Sequence, residues 1–166
     1  NGLILNAGQK IHGAGTLKGI PGTTMATISG NGAIVNGIRI ETNGATYAFV
    51  QVGNSSKIQN VSFSGNVGHY VIAVGDRQEI SGNLFDGSNA TKITTPVVFN
   101  GAKKFRAFNN RFNDTLGFGI QVRNGSYEGQ ITNNIFRQPP YTQKSITGSN
   151  QINFTFKLKE AVARYG

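Results

Sequence analysis

The chain has no cysteine and no tryptophan, one methionine, four prolines and seven acidic residues. Without cysteine there is neither a disulfide nor a thiolate metal site, so stability has to come from packing and hydrogen bonds. Apolar residues come in runs of two to four, well short of the roughly 18 needed for a helix to cross a bilayer, so no membrane span is expected. The shortage of acids sets 7 acidic against 16 basic residues, a net charge of +9. There is no run of stacked acids to hold calcium, and no Gly-Gly-x-Gly-x-Asp nonapeptide. The only histidines, His12 and His69, lie more than two repeats apart, so neither a metal site nor a cofactor is expected. Asn1 opens the chain with no basic n-region and no apolar h-region. We read it as a mature form, or as a piece of a longer protein.

What is present is a beat of about two dozen residues. Leu17, Ile40, Phe63, Phe85, Phe112 and Phe136 follow one another at intervals of 22 to 27 residues. Ile28, Val52, Val74, Phe99, Val122 and Ile146 form a second apolar column. Ile34, Ile58, Ile80, Phe105, Ile131 and Ile152 form a third. Three columns in step describe a solenoid whose every coil contributes three short strands. A single all-β domain over 1–166 follows, with about six to seven coils.

Alternation along the first strand of each coil places Val50 and Val52, Ile72 and Val74, Val97 and Phe99, and Ile120 and Val122 inward. The outward rows are then Thr27, Gln51, Ala73, Val98 and Gln121, and Met25, Phe49, Val71, Pro96 and Gly119. That face is apolar for one open to water. A contact between sister chains in a homotrimer is one reading, and cover by a loop or flanking domain is the other. Gly- and Asn-rich corners follow each strand, where φ > 0 is tolerated. Segments such as Ile58-Gln59-Asn60-Val61-Ser62-Phe63 and Ile131-Thr132-Asn133-Asn134-Ile135-Phe136 put Asn at the bend. There, stacked amides can bond one another and the next coil's backbone. The longest insertion runs from Asp86 to Thr94. Leu158, Ala161, Val162 and Tyr165 fall at helical spacing, which predicts a short capping helix over 157–165.

These repeats, together with the opening Ala7-Gly8-Gln9-Lys10-Ile11-His12-Gly13-Ala14-Gly15-Thr16-Leu17, resemble the right-handed parallel β-helix of the pectin-lyase-like superfamily. That superfamily includes polysaccharide-acting enzymes, phage tailspikes and bacterial surface passengers. The resemblance covers residues 3 to 156 and implies a secreted, cell-surface or virion location. It implies a polysaccharide along one outer face, held or cut by carboxylates, a basic residue or a Tyr/His pair. It does not choose among these, because fold does not imply function. The epimerase pattern Tyr-Gly-Phe-Asp-Pro-His has only the weak echo Leu116-Gly117-Phe118-Gly119-Ile120-Gln121, without the Asp and the His.

The acids gather beside the Phe column. The position after each column residue is Glu41, Ser64, Asp86, Asn113 and Arg137, and the position before it is Arg39, Ser62, Leu84, Arg111 and Ile135. Glu41, Asp86 and Asp114 are the candidate catalytic carboxylates, and Arg39, Arg111, Arg137 and Tyr141 the candidate sugar-binding residues. Glu41 and Asp86, two coils apart, would be separated by roughly 9 to 10 Å, at the upper limit for an inverting pair. Asp86 and Asp114, on adjacent coils, are nearer retaining geometry. The bland alternative is ordinary charge in variable loops, with Arg able to grip an acidic sugar without chemistry. His69-Tyr70 could be an acid–base pair, although Tyr70 aligns with core positions. Tyr47, Tyr127 and Tyr141 could stack on sugar rings.

The positive charge fits an anionic partner, or a spread of cations that protects strand edges. The basic residues are not clustered along the chain, so nucleic acid is not the expected partner. Sequons at Asn54, Asn60, Asn89, Asn113, Asn124 and Asn153 follow from composition, and several fall at tight corners. Three functions stay open. One is an extracellular module that recognises anionic polysaccharide. The others are a polysaccharide hydrolase or lyase, and a structural trimeric shaft.

Overall fold

A computed structural model describes residues 2–91, 95–113 and 119–137, with the backbone of 147–153 and 160–163. It is an all-β parallel solenoid of about six turns, with no helix among the described residues. The first face stacks β1 (Leu3–Leu5), β4 (Thr24–Ile28), β7 (Ala45–Gln51), β10 (Val67–Ala73), β13 (Val97–Asn100) and β16 (Ile120–Arg123), all parallel. The second stacks β2 (Lys10–His12), β5 (Ile34–Asn36), β8 (Lys57–Gln59), β11 (Glu79–Ser81) and β14 (Arg106–Phe108). The third stacks β3 (Thr16–Lys18), β6 (Arg39–Glu41), β9 (Ser62–Ser64), β12 (Leu84–Asp86) and β15 (Arg111–Asn113). The eight-residue β17 (Gln130–Arg137) completes both of these faces, pairing with β14 and with β15.

The Phe column is in register throughout: Leu17, Ile40, Phe63, Phe85, Phe112 and Phe136 are successive partners. From Phe63 to Phe136 the rings stack with centroids 4.7–4.9 Å apart, which is the rung spacing itself. The same repeat that sets the backbone hydrogen bonds therefore sets ring-to-ring distance.

The other two columns shift in places. On the first face the inward column is Ile28, Gln51, Ala73, Phe99 and Val122, so Val52 and Val74 leave it and are exposed at 49% and 40%. Phe49 and Val71 point inward, while Val50 and Ile72 join the outward row. The reason is a break in alternation. Ala48 and Phe49 are consecutive buried residues, as are Tyr70 and Val71, because β7 and β10 are seven-residue strands in which alternation fails partway along. Gln51 can sit inside because its amide donates to Ser56 Oγ at 3.1 Å, within a cluster completed by Gln78 and the Gly53 carbonyl. On the second face Val35 replaces Ile34 and Ala107 replaces Phe105. Phe105 is still buried, two residues earlier, stacked on Phe99 at 4.0 Å. Ile146 lies outside the described residues.

The corner between the second and third faces carries two Asn columns side by side. Asn60, Asn109 and Asn133 occupy the left-handed region, at φ 53–56°, where a short amide side chain is tolerated. Next to them Asn83, Asn110 and Asn134 are buried and form a ladder. Each Oδ1 accepts the backbone N–H of the coil before it, at 2.9–3.1 Å. Each Nδ2 donates to a carbonyl of that coil at 2.8–2.9 Å. Corner groups that would otherwise be orphaned are thus satisfied.

The helix predicted over 157–165 lies largely outside the described residues. Where the backbone is described, β19 (Glu160–Ala163) is a strand antiparallel to β16. β18 (Thr147–Asn153) likewise runs antiparallel to β17, pairing Ile152 with Ile131. Both sheets of the last coil are therefore closed by antiparallel strands.

Candidate functional site

The rows flanking the Phe column project from the third face as the spacing predicts. One row is Lys18, Glu41, Ser64, Asp86, Asn113 and Arg137. The other is Thr16, Arg39, Ser62, Leu84, Arg111 and Ile135. Side chains alternate across a strand, so both rows share the outward side while the Phe column faces in. Glu41 and Asp86 stand two coils apart with Ser64 between them, roughly 9 to 10 Å by rung spacing. Arg39 and Arg111 are exposed and three coils apart. Asp114 and Tyr141 lie outside the described residues.

A shallow depression of about 370 Å³ opens beside this face, lined by Lys18, Glu41, Thr42, Asn43, Ser64, Gly65 and Asn89. Its floor is held by Thr42, whose hydroxyl lies 2.9 Å from the Ser64 carbonyl and 2.7 Å from that of Asn66. One wall is Asn89, in the insertion that follows Asp86. Asn66 Oδ1 accepts the Thr91 N–H at 2.7 Å and ties that insertion to the preceding coil. Asp86 Oδ1 accepts the Ser88 N–H at 3.0 Å, which shapes the turn into it. Glu41 faces Lys18 at 3.6 Å, both exposed, so the pair is solvated and adds little stability. Arg111 Nε donates to Asn113 Oδ1 at 2.9 Å. The depression thus offers one carboxylate, one ammonium, hydroxyls and amides, a set suited to sugar hydroxyls and acidic substituents.

Tyr70 is not part of this surface. It is fully buried between Phe63 and Phe85, and its hydroxyl donates toward the carbonyls of Gly65 and Asp86, at 3.0 and 3.2 Å. Burial first, and the Asp86 charge second, push its pKa far above the usual phenol value. It is a core residue. His69 stacks on Tyr47 at 5.9 Å and donates from Nδ1 to the Thr95 carbonyl at 2.6 Å. His12 lies against Asn36 on the second face.

The outward row of the first face is Thr27, Val50, Ile72, Val98 and Gln121. Within the single chain Val98 is fully buried and Ile72 is 8% exposed.

The structure also brings Arg77 beside a cluster from the next coil. Arg77, Lys103 and Lys104 are exposed at the corner between the first and second faces, and Arg106 is exposed at the adjoining start of β14. The run Lys103-Lys104-Phe105-Arg106 is the signal that the sequence holds, whereas the place of Arg77 beside it comes only from the stacking of the coils.

No protein-family model, curated protein or solved structure matches this chain.

Proposed function

We propose that this chain is an extracellular β-helix module, of the pectin-lyase-like kind, that recognises an acidic polysaccharide on its third face. The observation that carries this reading is the depression at Lys18, Glu41, Ser64 and Asn89, continuous with the arginine-bearing row beside the Phe column. A rigid ladder of outward side chains at a fixed rung spacing suits a polymer with its own repeat. Arg39, Arg111 and Arg137 can meet carboxylates bidentately, and the net charge favours encounter with a polyanion. Glycan-array binding tests it, with polygalacturonate and sulfated polymers as the first probes. Lys18→Gln combined with Arg39→Gln should weaken binding by tenfold or more, as loss of charged hydrogen bonds implies. Unchanged binding in that variant would overturn the placement, and no binding of any anionic glycan at low salt would overturn the function.

The Glu41–Asp86 row favours one second reading, hydrolysis by an inverting carboxylate pair, whose carboxyl groups are about 6.5–9.5 Å apart. Release of reducing ends that survives Glu41→Gln and Asp86→Asn would remove these residues from that role.

A further inference from the structure

The corner between the first and second faces carries chemistry that the third-face reading does not use. Gly8, Gly32, Ser55, Arg77, Lys104 and Glu128 all have positive φ, from 54 to 71°. They form one column. The N–H groups of Gly8, Gly32, Ser55, Arg77 and Lys104 donate in turn to the carbonyls of Asn31, Asn54, Asp76, Lys103 and Tyr127 in the next coil. The first two coils use glycine, which adopts either sign of φ freely. A long side chain is disfavoured there, yet three successive later coils place Arg77, Lys104 and Glu128, two cations followed by the acid that pairs with the second. A disfavoured conformation retained in consecutive repeats points to what those side chains do.

We propose that Arg77, Lys103, Lys104 and Arg106 form a second strip that binds a linear anionic polysaccharide, its acidic groups running along the solenoid axis. The strip shares only a ligand class with the third-face reading and stands if that depression proves empty. Arg77 and Lys104 are one rung apart, about 4.8 Å along the axis. Lys103, Lys104 and Arg106 come from a single coil. Two of the cations are seated on aromatic rings: Lys103 Nζ lies 5.6 Å from the Tyr127 ring centre, and the Arg106 guanidinium 4.7 Å from that of Phe108. A ring orients a cation without neutralising it. Arg77 Nε donates to Ser55 Oγ of the preceding coil at 3.1 Å, which leaves the terminal nitrogens for a ligand. Glu128 answers Lys104 at 3.6 Å, and Glu79 answers Lys57 at 3.9 Å. Among the described residues Arg77, Lys103 and Arg106 have no carboxylate ion pair. The shared chemistry is therefore a row of carboxylates or sulfates. Among the described residues the two rings of the strip, Tyr127 and Phe108, each already carry a cation, which disfavours stacking of nucleobases on them.

Calorimetry on the full chain with heparin, polygalacturonate and duplex DNA tests this. In the strip variant, Arg77 and Lys104 become Asn, which tolerates positive φ, and Lys103 and Arg106 become Gln. It should fold normally by circular dichroism and bind the acidic polysaccharide at least tenfold more weakly. The heparin and polygalacturonate arms tell whether sulfate or carboxylate is preferred. Adding the strip substitutions to Lys18→Gln with Arg39→Gln separates the two surfaces, because any further loss belongs to the strip, and Lys10→Gln, outside both surfaces, should leave binding unchanged. Equal affinity of the strip variant and the parent for both polysaccharides overturns the proposal, as does tighter binding of duplex DNA than of either one.

Discussion

At the scale of single residues, the buried amides carry consequences out of proportion to their size. Asn110 Oδ1 accepts both the backbone N–H and the Nδ2 of Asn83, at 3.1 and 3.0 Å. Asn110→Ala strands two buried donors, each costing about 1–3 kcal/mol, and urea denaturation should show a loss of about 3 kcal/mol. A Cβ on Gly129 would run into the Phe105 ring, so Gly129→Ala should cost about 1–3 kcal/mol by overpacking. His69 adds a pH signature. Burial disfavours its imidazolium and Arg123 adds to that, while the bond to Thr95 opposes it, so its pKa lies below 6.5 in the fold. As pH falls through 6.5 the unfolded chain takes the proton first. This contribution to stability is therefore complete above the unfolded pKa and declines as pH drops toward the folded one. Melting curves of the parent and of His69→Gln across that window should diverge in slope; parallel curves would overturn the assignment. The bend asparagines were legible because Asn recurs on the beat. That they divide into a left-handed column and a buried ladder was not, since adjacent Asn109-Asn110 and Asn133-Asn134 look alike in a string of letters.

At the scale of elements, the strands differ in how much of themselves they announce. The Phe column keeps its period and its residue type across β9, β12, β15 and β17, and every predicted partner is the observed one. Phe85 stacks on a ring at each side. Phe85→Ala should cost about 3–5 kcal/mol, since neighbouring rungs are hydrogen-bonded and cannot collapse into the gap. Tyr70→Phe should cost about 1 kcal/mol, because two carbonyls lose their hydroxyl partner. Glycan binding should be unchanged; a loss of function without loss of stability would mean that Tyr70 acts chemically after all. β7 and β10 misled the alternation rule because it assumes a straight strand. Within their seven residues the inward set changes parity, and a polar Gln51 proved to be the inward residue while an apolar Val52 did not. Polarity predicts burial only when no partner is available, and Ser56 supplies one to the Gln51 amide.

At the scale of the whole molecule, stability is a sum over stacked coils, and binding belongs to what the stack lines up. If acidic glycan is held by exposed cations, affinity should fall steeply between low and physiological salt, where the Debye length shrinks to about 8 Å. Calorimetry at two ionic strengths measures this, and salt-independent binding would exclude both cationic surfaces at once. The candidate rows beside the Phe column were legible because they are offset by one residue from an unambiguous core column. The depression was not, since its wall comes from an insertion fastened by an Asn66–Thr91 bond that no periodicity encodes. The cationic corner was not either, because Arg77 and Lys104 are 27 residues apart in the chain and one rung apart in space. The sequence by itself determined the solenoid, its three-strand coil and its aromatic axis, because a repeated apolar pattern has only one economical way to bury itself. Only the tertiary structure decided which side chains turn inward at the bends, how the last coil is closed and which charges meet. Those depend on corner geometry and on partners contributed by neighbouring coils.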